Sequence, residues 1–156
     1  MRRAVPAAAA VLATFAGGAA VGAADGPPRV VATDRDGDTV AALDLPRSGA
    51  FELAYRHSYY RRPARERFVA GDDGSFRLVE IASPSEAVLE YYDVEGARSR
   101  SGGWWRLRLA RPVRFDRMPL AATAVGRRTL VAGGERVPLF RSDGRAVHVT
   151  IAVEGS

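Results

Sequence analysis

The sequence predicts an all-β fold, an antiparallel β-sandwich or barrel of about eight to ten short strands, and three observations carry that prediction. Apolar and β-branched residues alternate with period two over most of the chain after Pro28. Turn signals (Asp-Gly, Gly-Gly) separate these runs at roughly ten-residue intervals. One stretch only, near 84–92, carries a helix start signal. A chain of 156 residues is long enough to bury one core without metals or crosslinks. Its 47% hydrophobic and 26% charged residues are ordinary globular values.

The first residues read differently. Met1-Arg2-Arg3 is a positive start, residues 4–21 are almost wholly small and apolar, and Val21-Gly22-Ala23-Ala24 offers small residues where a signal peptidase cuts. Residues 1–24 are therefore expected to be a secretory signal peptide, leaving 25–156 as a single all-β domain. The alternative is an uncleaved anchor, but spanning a bilayer takes about 20 strongly apolar residues and alanine supplies little drive. After cleavage no stable membrane span is expected, and the expected location is extracytoplasmic, periplasmic or secreted. The two arginines lack the Phe-Leu that follows them in a twin-arginine signal, so the general secretory route is expected.

The chain has no cysteine, which excludes disulfides, thiolate metal sites and a lipid-bearing N-terminal cysteine. All 23 basic side chains are arginine. Losing Arg2 and Arg3 lowers the formal charge of +5 by two, and the remaining arginines are scattered among acids rather than gathered in a run. Nucleic acid is not an expected partner, and a monomer is expected.

Taken in order, residues 29–33 and 39–45 are strands either side of Asp34-Arg35-Asp36-Gly37-Asp38. The three aspartates suggest calcium, yet the glycine follows the second and no glutamate closes the loop, so a solvated hairpin turn is expected. In residues 51–69, Phe51, Leu53, Tyr55 and His57 alternate with polar or small neighbours, as do Ala64, Glu66 and Phe68. A tight turn centred on Arg61-Arg62 would set Tyr55 opposite Phe68 and His57 opposite Glu66. Residues 71–75 form a second turn, and 76–82 a strand covered on both sides. Ser83-Pro84-Ser85-Glu86 reads as a capping box with Ser83 as N-cap, opening a helix of about two turns stopped by Gly96. A polar loop is expected over 97–103.

In residues 104–109 Trp105, Leu107 and Leu109 point inward, which leaves Trp104 exposed or partly covered with guanidiniums stacked on its face. Trp104 is either a binding anchor or a ring lying under a loop or neighbouring strand. Residues 113–117, 120–125 and 128–131 are further strands. Residues 137–140, with Pro138, suit an edge strand, and residues 146–153 form the last strand, with His148 facing out.

A metal needs several converging ligands, and the two histidines of this chain face opposite ways, so neither metal nor cofactor is expected. Ser58, His57 and Glu66 superficially make a nucleophilic set, but neighbouring strand residues point to opposite faces and no Gly-x-Ser-x-Gly elbow is present. No catalytic residue is assigned. His57 and Glu66 are expected to form a buried structural pair that fixes the hairpin register. If the hairpin end lies at a cleft, Ser58, Tyr59, Tyr60, Arg61, Arg62, Arg65 and Trp104 join that pair as binding residues, with aromatic faces and bidentate donors suited to a carboxylate.

Tyr55-Arg56-His57-Ser58, Glu66-Arg67-Phe68, the acidic turn Asp72-Asp73-Gly74, Leu130-Val131-Ala132-Gly133-Gly134 and Val137-Pro138-Leu139 together resemble the family called domain of unknown function 1850. The resemblance covers about residues 51–153. Members are short secreted proteins, many encoded beside tripartite (TRAP) solute transporters of the TAXI branch, which carry organic acids and similar small anions. The resemblance implies an extracytoplasmic location, TRAP/TAXI transporter components as partners and no established catalytic activity. One departure is that members carry a glycine- and proline-bearing loop where residues 83–92 are helix-like here. The expected function is that of a transporter-associated accessory domain binding a small organic anion. The alternatives are a hydrolase-type enzyme with His57 or Glu66 as general base, and a protein-interaction module using Trp104 and the tyrosines.

Overall fold

A computed structural model of the protein describes residues 26–155, so the signal peptide expected over 1–24 lies outside the described residues. The strands are β1 (Arg29–Thr33), β2 (Thr39–Asp44), β3 (Ala50–Arg56), β4 (Pro63–Ala70), β5 (Phe76–Ser83), β6 (Gly96–Ser101), β7 (Trp104–Phe115), β8 (Met118–Ala122), β9 (Thr129–Ala132), β10 (Glu135–Pro138) and β11 (Val147–Glu154), with one helix, α1 (Glu86–Tyr91), between β5 and β6. They form two antiparallel sheets, a sandwich and not a barrel. The smaller runs β2-β1-β11-β8 and the larger β10-β9-β3-β4-β5-β7-β6.

The period-two alternation becomes burial between these layers. Val30, Ala32, Val149 and Ile151 of the small sheet meet Phe51, Leu53, Phe68, Phe76, Ile81 and Leu130 of the large one in a single core. At its centre the rings of Phe51 and Phe68 stack 5.1 Å apart, with Phe76 edge-on to both. Pro138 lies in β10, an outer strand where no neighbour asks for its missing N–H.

The central hairpin takes a different register from the one expected. Phe51 faces Phe68, Leu53 faces Glu66 and Tyr55 faces Ala64, so Glu66 is not opposite His57. The ladder ends at Arg56 and Pro63, and the intervening residues form a wider loop. His57 N donates to Arg62 O (2.8 Å), Arg61 N donates to His57 O (2.9 Å), and Arg61 takes a left-handed φ of 55°. Stacking of the two phenylalanines is what this register gains. The slip is by an even number of residues, so inward side chains remain inward while their partners change.

Four other expectations shift. Ser83 is fully buried in β5 rather than capping the helix; its hydroxyl donates to Pro63 O (2.8 Å) and accepts from Ser85 N (3.1 Å). Helix α1 begins two residues later, with Ser85 as N-cap and no side-chain capping bond, and ends before Asp93, whose φ is 48°. Residues 97–103, expected as a loop, hold β6 and the Gly102-Gly103 turn into β7. Every residue of β6 is exposed, so no alternation marks it, and its place at the sheet edge is why. Gly96 opens it because a Cβ there would collide with the Arg108 carbonyl. The strand over 76–82 is not covered on both sides throughout: Phe76 and Leu78 are buried on one face while Arg77 between them is exposed, and both faces are buried only over Ile81–Ser83. Residues 104–109 and 113–117 join in the 12-residue β7, across an irregularity in its pairing with β5.

Phe68→Ala is expected to cost about 3–5 kcal/mol through loss of the stacked ring and the cavity left behind, as read from urea unfolding. A cost below about 1 kcal/mol would show that the aromatic stack does not hold the layers together.

Candidate functional site

At the end of the sandwich where β3 and β4 turn, the chain after β8 folds over the opening. Arg56 N donates to Gly126 O (2.6 Å), and Gly126 N donates to Thr123 Oγ1 (3.0 Å). With α1 as the other wall this leaves a cleft of about 580 Å³, whose chemistry comes from Tyr55, His57, Glu66, Tyr91, Tyr92 and Arg128.

Glu66 sits on the inner face of β4 and needs a partner. It finds Tyr92, just beyond α1, whose hydroxyl donates to Oε1 at 2.5 Å. Tyr55 and Tyr92 hydroxyls are also hydrogen-bonded to each other. Tyr92 has given its only proton to Glu66, so Tyr55 is the donor in that bond. Burial pushes the Glu66 carboxyl above its usual range, against the opposing pull of the Tyr92 hydrogen bond and the nearby Arg128 charge. Burial, then the Glu66 charge, pushes both phenols up, so they stay protonated. The Arg128 guanidinium lies 5.3 Å over the Tyr55 ring. Glu66 lines the cleft, and its Oε2 makes no hydrogen bond among the described residues.

His57 is buried, as expected, but in the loop beyond β3 and not in the ladder. The expected His57–Glu66 clasp is therefore corrected: the carboxylate's partner is a phenol, and the imidazole packs on Tyr91 (4.7 Å, edge-on) and Tyr60 (5.2 Å). His57 Nδ1 accepts from Tyr60 N (3.3 Å). Burial lowers the His57 pKa, favouring the neutral ring. Ser58 is exposed at the rim of the same cleft and makes no hydrogen bond with His57. His148 is exposed on β11 of the other sheet.

The remaining candidates do not ring this cleft. Arg65 precedes Glu66 and so points to the opposite face, out from the large sheet, where its guanidinium lies 4.6 Å over the half-buried Trp104. There a second cleft of about 440 Å³ is lined by Arg56, Arg61, Arg65, Arg127 and Arg136 beside Trp104, with no carboxylate in its walls. None of these five arginines makes an ion pair among the described residues. Arg62 belongs to neither cleft; Tyr59 and Tyr60 are exposed on the loop beside His57. Tyr55 and Arg56 line both clefts and form the wall between them.

Tyr55, Tyr92, Arg128, Arg56, Arg127 and Arg136 were not among the sequence candidates. The Tyr92 hydroxyl meets a residue 26 positions away, which no local pattern reports. Among the described residues no helix is long and apolar enough to cross a membrane.

The raised Glu66 pKa has a definite sign. The fold favours the protonated acid, so this contribution is complete below the ordinary value of 4.5 and is lost as pH rises through the raised one. His57, with a lowered pKa, acts oppositely: its contribution is present above 6.5 and lost as pH falls through the lowered value. Glu66→Gln is expected to flatten the decline in stability above pH 4.5 and to cost less than about 1 kcal/mol at pH 7, checked by urea unfolding across pH. Tyr92→Phe is expected to cost about 1–3 kcal/mol, because Glu66 Oε1 and the Tyr55 hydroxyl both lose their partner. A loss of several kcal/mol on Glu66→Gln would restore the buried ion pair. In comparisons with protein-family models, curated proteins and solved structures, the chain matches none of them.

Proposed function

We propose that the protein is an extracytoplasmic domain that binds a small organic anion, and that it serves a TRAP/TAXI-type solute transporter as an accessory. The observation that carries the binding role is the outer cleft itself: Arg56, Arg61, Arg65, Arg127 and Arg136 converge beside Trp104 without one carboxylate between them. Some arginines elsewhere are paired locally, as Arg106 is with Glu80 at 3.0 Å and Arg98 with Glu86 at 3.2 Å; what sets this cleft apart is five guanidiniums in one wall with no carboxylate among its lining residues. A cluster left without counter-charge repels itself, and a bound anion relieves that repulsion. Planar guanidiniums grip carboxylates through two parallel hydrogen bonds, and the Arg65–Trp104 stack holds one of them in place. The location rests on the leader at 1–24, and the transporter companion on the resemblance over residues 51–153.

A hydrolase is the second reading, favoured by one feature, a carboxyl of raised pKa facing the end cleft. Against it, Ser58 has no base on its hydroxyl, and His57 Nδ1 is already engaged by Tyr60 N.

Titration calorimetry at low salt with citrate and succinate is expected to show saturable binding that weakens as salt rises. Arg65→Ala is expected to weaken it by on the order of tenfold, with a matching loss of ligand-induced change in tryptophan fluorescence. Absence of binding to either acid removes the anion role. Co-purification of the full chain with TRAP/TAXI transporter subunits tests the accessory role separately.

A further inference from the structure

We infer that the end cleft is a second binding site, separate from the arginine cleft, and that its ligand is a neutral, hydroxylated ring: a pyranose sugar. The cleft, about 580 Å³, falls in the range of about 300–1,000 Å³ typical of small-molecule sites.

Its polar groups are of mixed kind and unspent. Glu66 lines the cleft and keeps Oε2, which makes no hydrogen bond among the described residues, as an acceptor. His57 Nδ1 accepts a backbone N–H, so the hydrogen-bond network assigns the proton of the neutral ring to Nε2, which has no partner among the described residues and is available as a donor. Arg128 makes no ion pair among the described residues and adds further donors. Hydroxyls both donate and accept, and a set that offers both sides matches them.

The rim supplies the apolar half. Tyr91 is 64% exposed, and Tyr59 and Tyr60 on the neighbouring loop are exposed as well. Tyr91 lines the cleft and packs edge-on against His57, and Tyr60 and Tyr59 continue the aromatic cluster from His57 along the adjoining loop, outside the cleft's own lining. Contiguous exposed apolar surface of this kind marks a binding site. A pyranose presents C–H groups on its flat face and hydroxyls at its edge, so the face lies on the tyrosines while the edge reaches Glu66, His57 and Arg128.

Charge argues against a cation, and the neighbouring cleft competes for an anion. A cation would meet two guanidiniums, Arg56 and Arg128, against one carboxylate. An anion would face Glu66 and is better served by the neighbouring cleft, where no carboxylate stands.

The test is saturation-transfer NMR and calorimetry on the mature chain with glucose, galactose, mannose, xylose and α- and β-linked disaccharides of glucose. At least one is expected to bind through its ring C–H protons. Tyr91→Ala, at an exposed position that leaves the core untouched, is expected to weaken binding on the order of tenfold, and Tyr91→Phe to retain it. Arg65→Ala is expected to leave sugar affinity unchanged while weakening citrate, so the two sites fail separately. No binding across the panel overturns the inference. So does Tyr91→Ala with unaltered affinity, or displacement of the sugar by tetramethylammonium or citrate.

Discussion

The stack of Phe51 on Phe68 is the constraint from which the rest of the structure follows. Two large rings buried between the sheets select one register for the β3–β4 hairpin. That register fixes where the ladder stops, and the stopping point throws His57 out of the sheet and into the mouth of the sandwich. A core preference thus decides which titratable groups can meet.

Parity does the remaining sorting. Arg65 and Glu66 are neighbours in sequence and belong to opposite faces, so one strand feeds two unlike sites: phenol and carboxylate inside, guanidinium and indole outside. Matching the buried carboxylate with tyrosine rather than with histidine or arginine changes the energetics. A phenol supplies the hydrogen bond without a second buried charge, so the heavy desolvation cost of an internal ion pair is avoided. Burial makes the carboxyl hold its proton more tightly, and the Tyr92 hydrogen bond and the Arg128 charge limit how far that goes.

The fold was largely legible because alternation is local. Inward positions such as Phe51, Leu53, Ala64, Phe68, Leu107 and Ile151 are all buried where period two placed them. What alternation cannot encode is offset, since a slip by an even number of residues leaves every face unchanged. This is why Glu66 was recognised as inward-facing and yet assigned the wrong partner. β6 was illegible for another reason: an outermost strand with both faces wet has no pattern to display. Tyr92, Trp104, Arg128 and Arg136 joined the clefts only through contacts between distant parts of the chain, while His57, Arg61 and Arg65 reached them close to where the hairpin had put them.

β6 also bears on how copies of the molecule behave when crowded. Its outer backbone groups are free to recruit a strand from a neighbour, the route by which sheets grow into fibres. Arg100 places positive charge along that border, and Arg98 is tethered to α1 by Glu86 and Glu90. A second copy approaching in the same way would set like charges against each other, so the polar border that hid this strand from pattern recognition also keeps the sheet from extending itself.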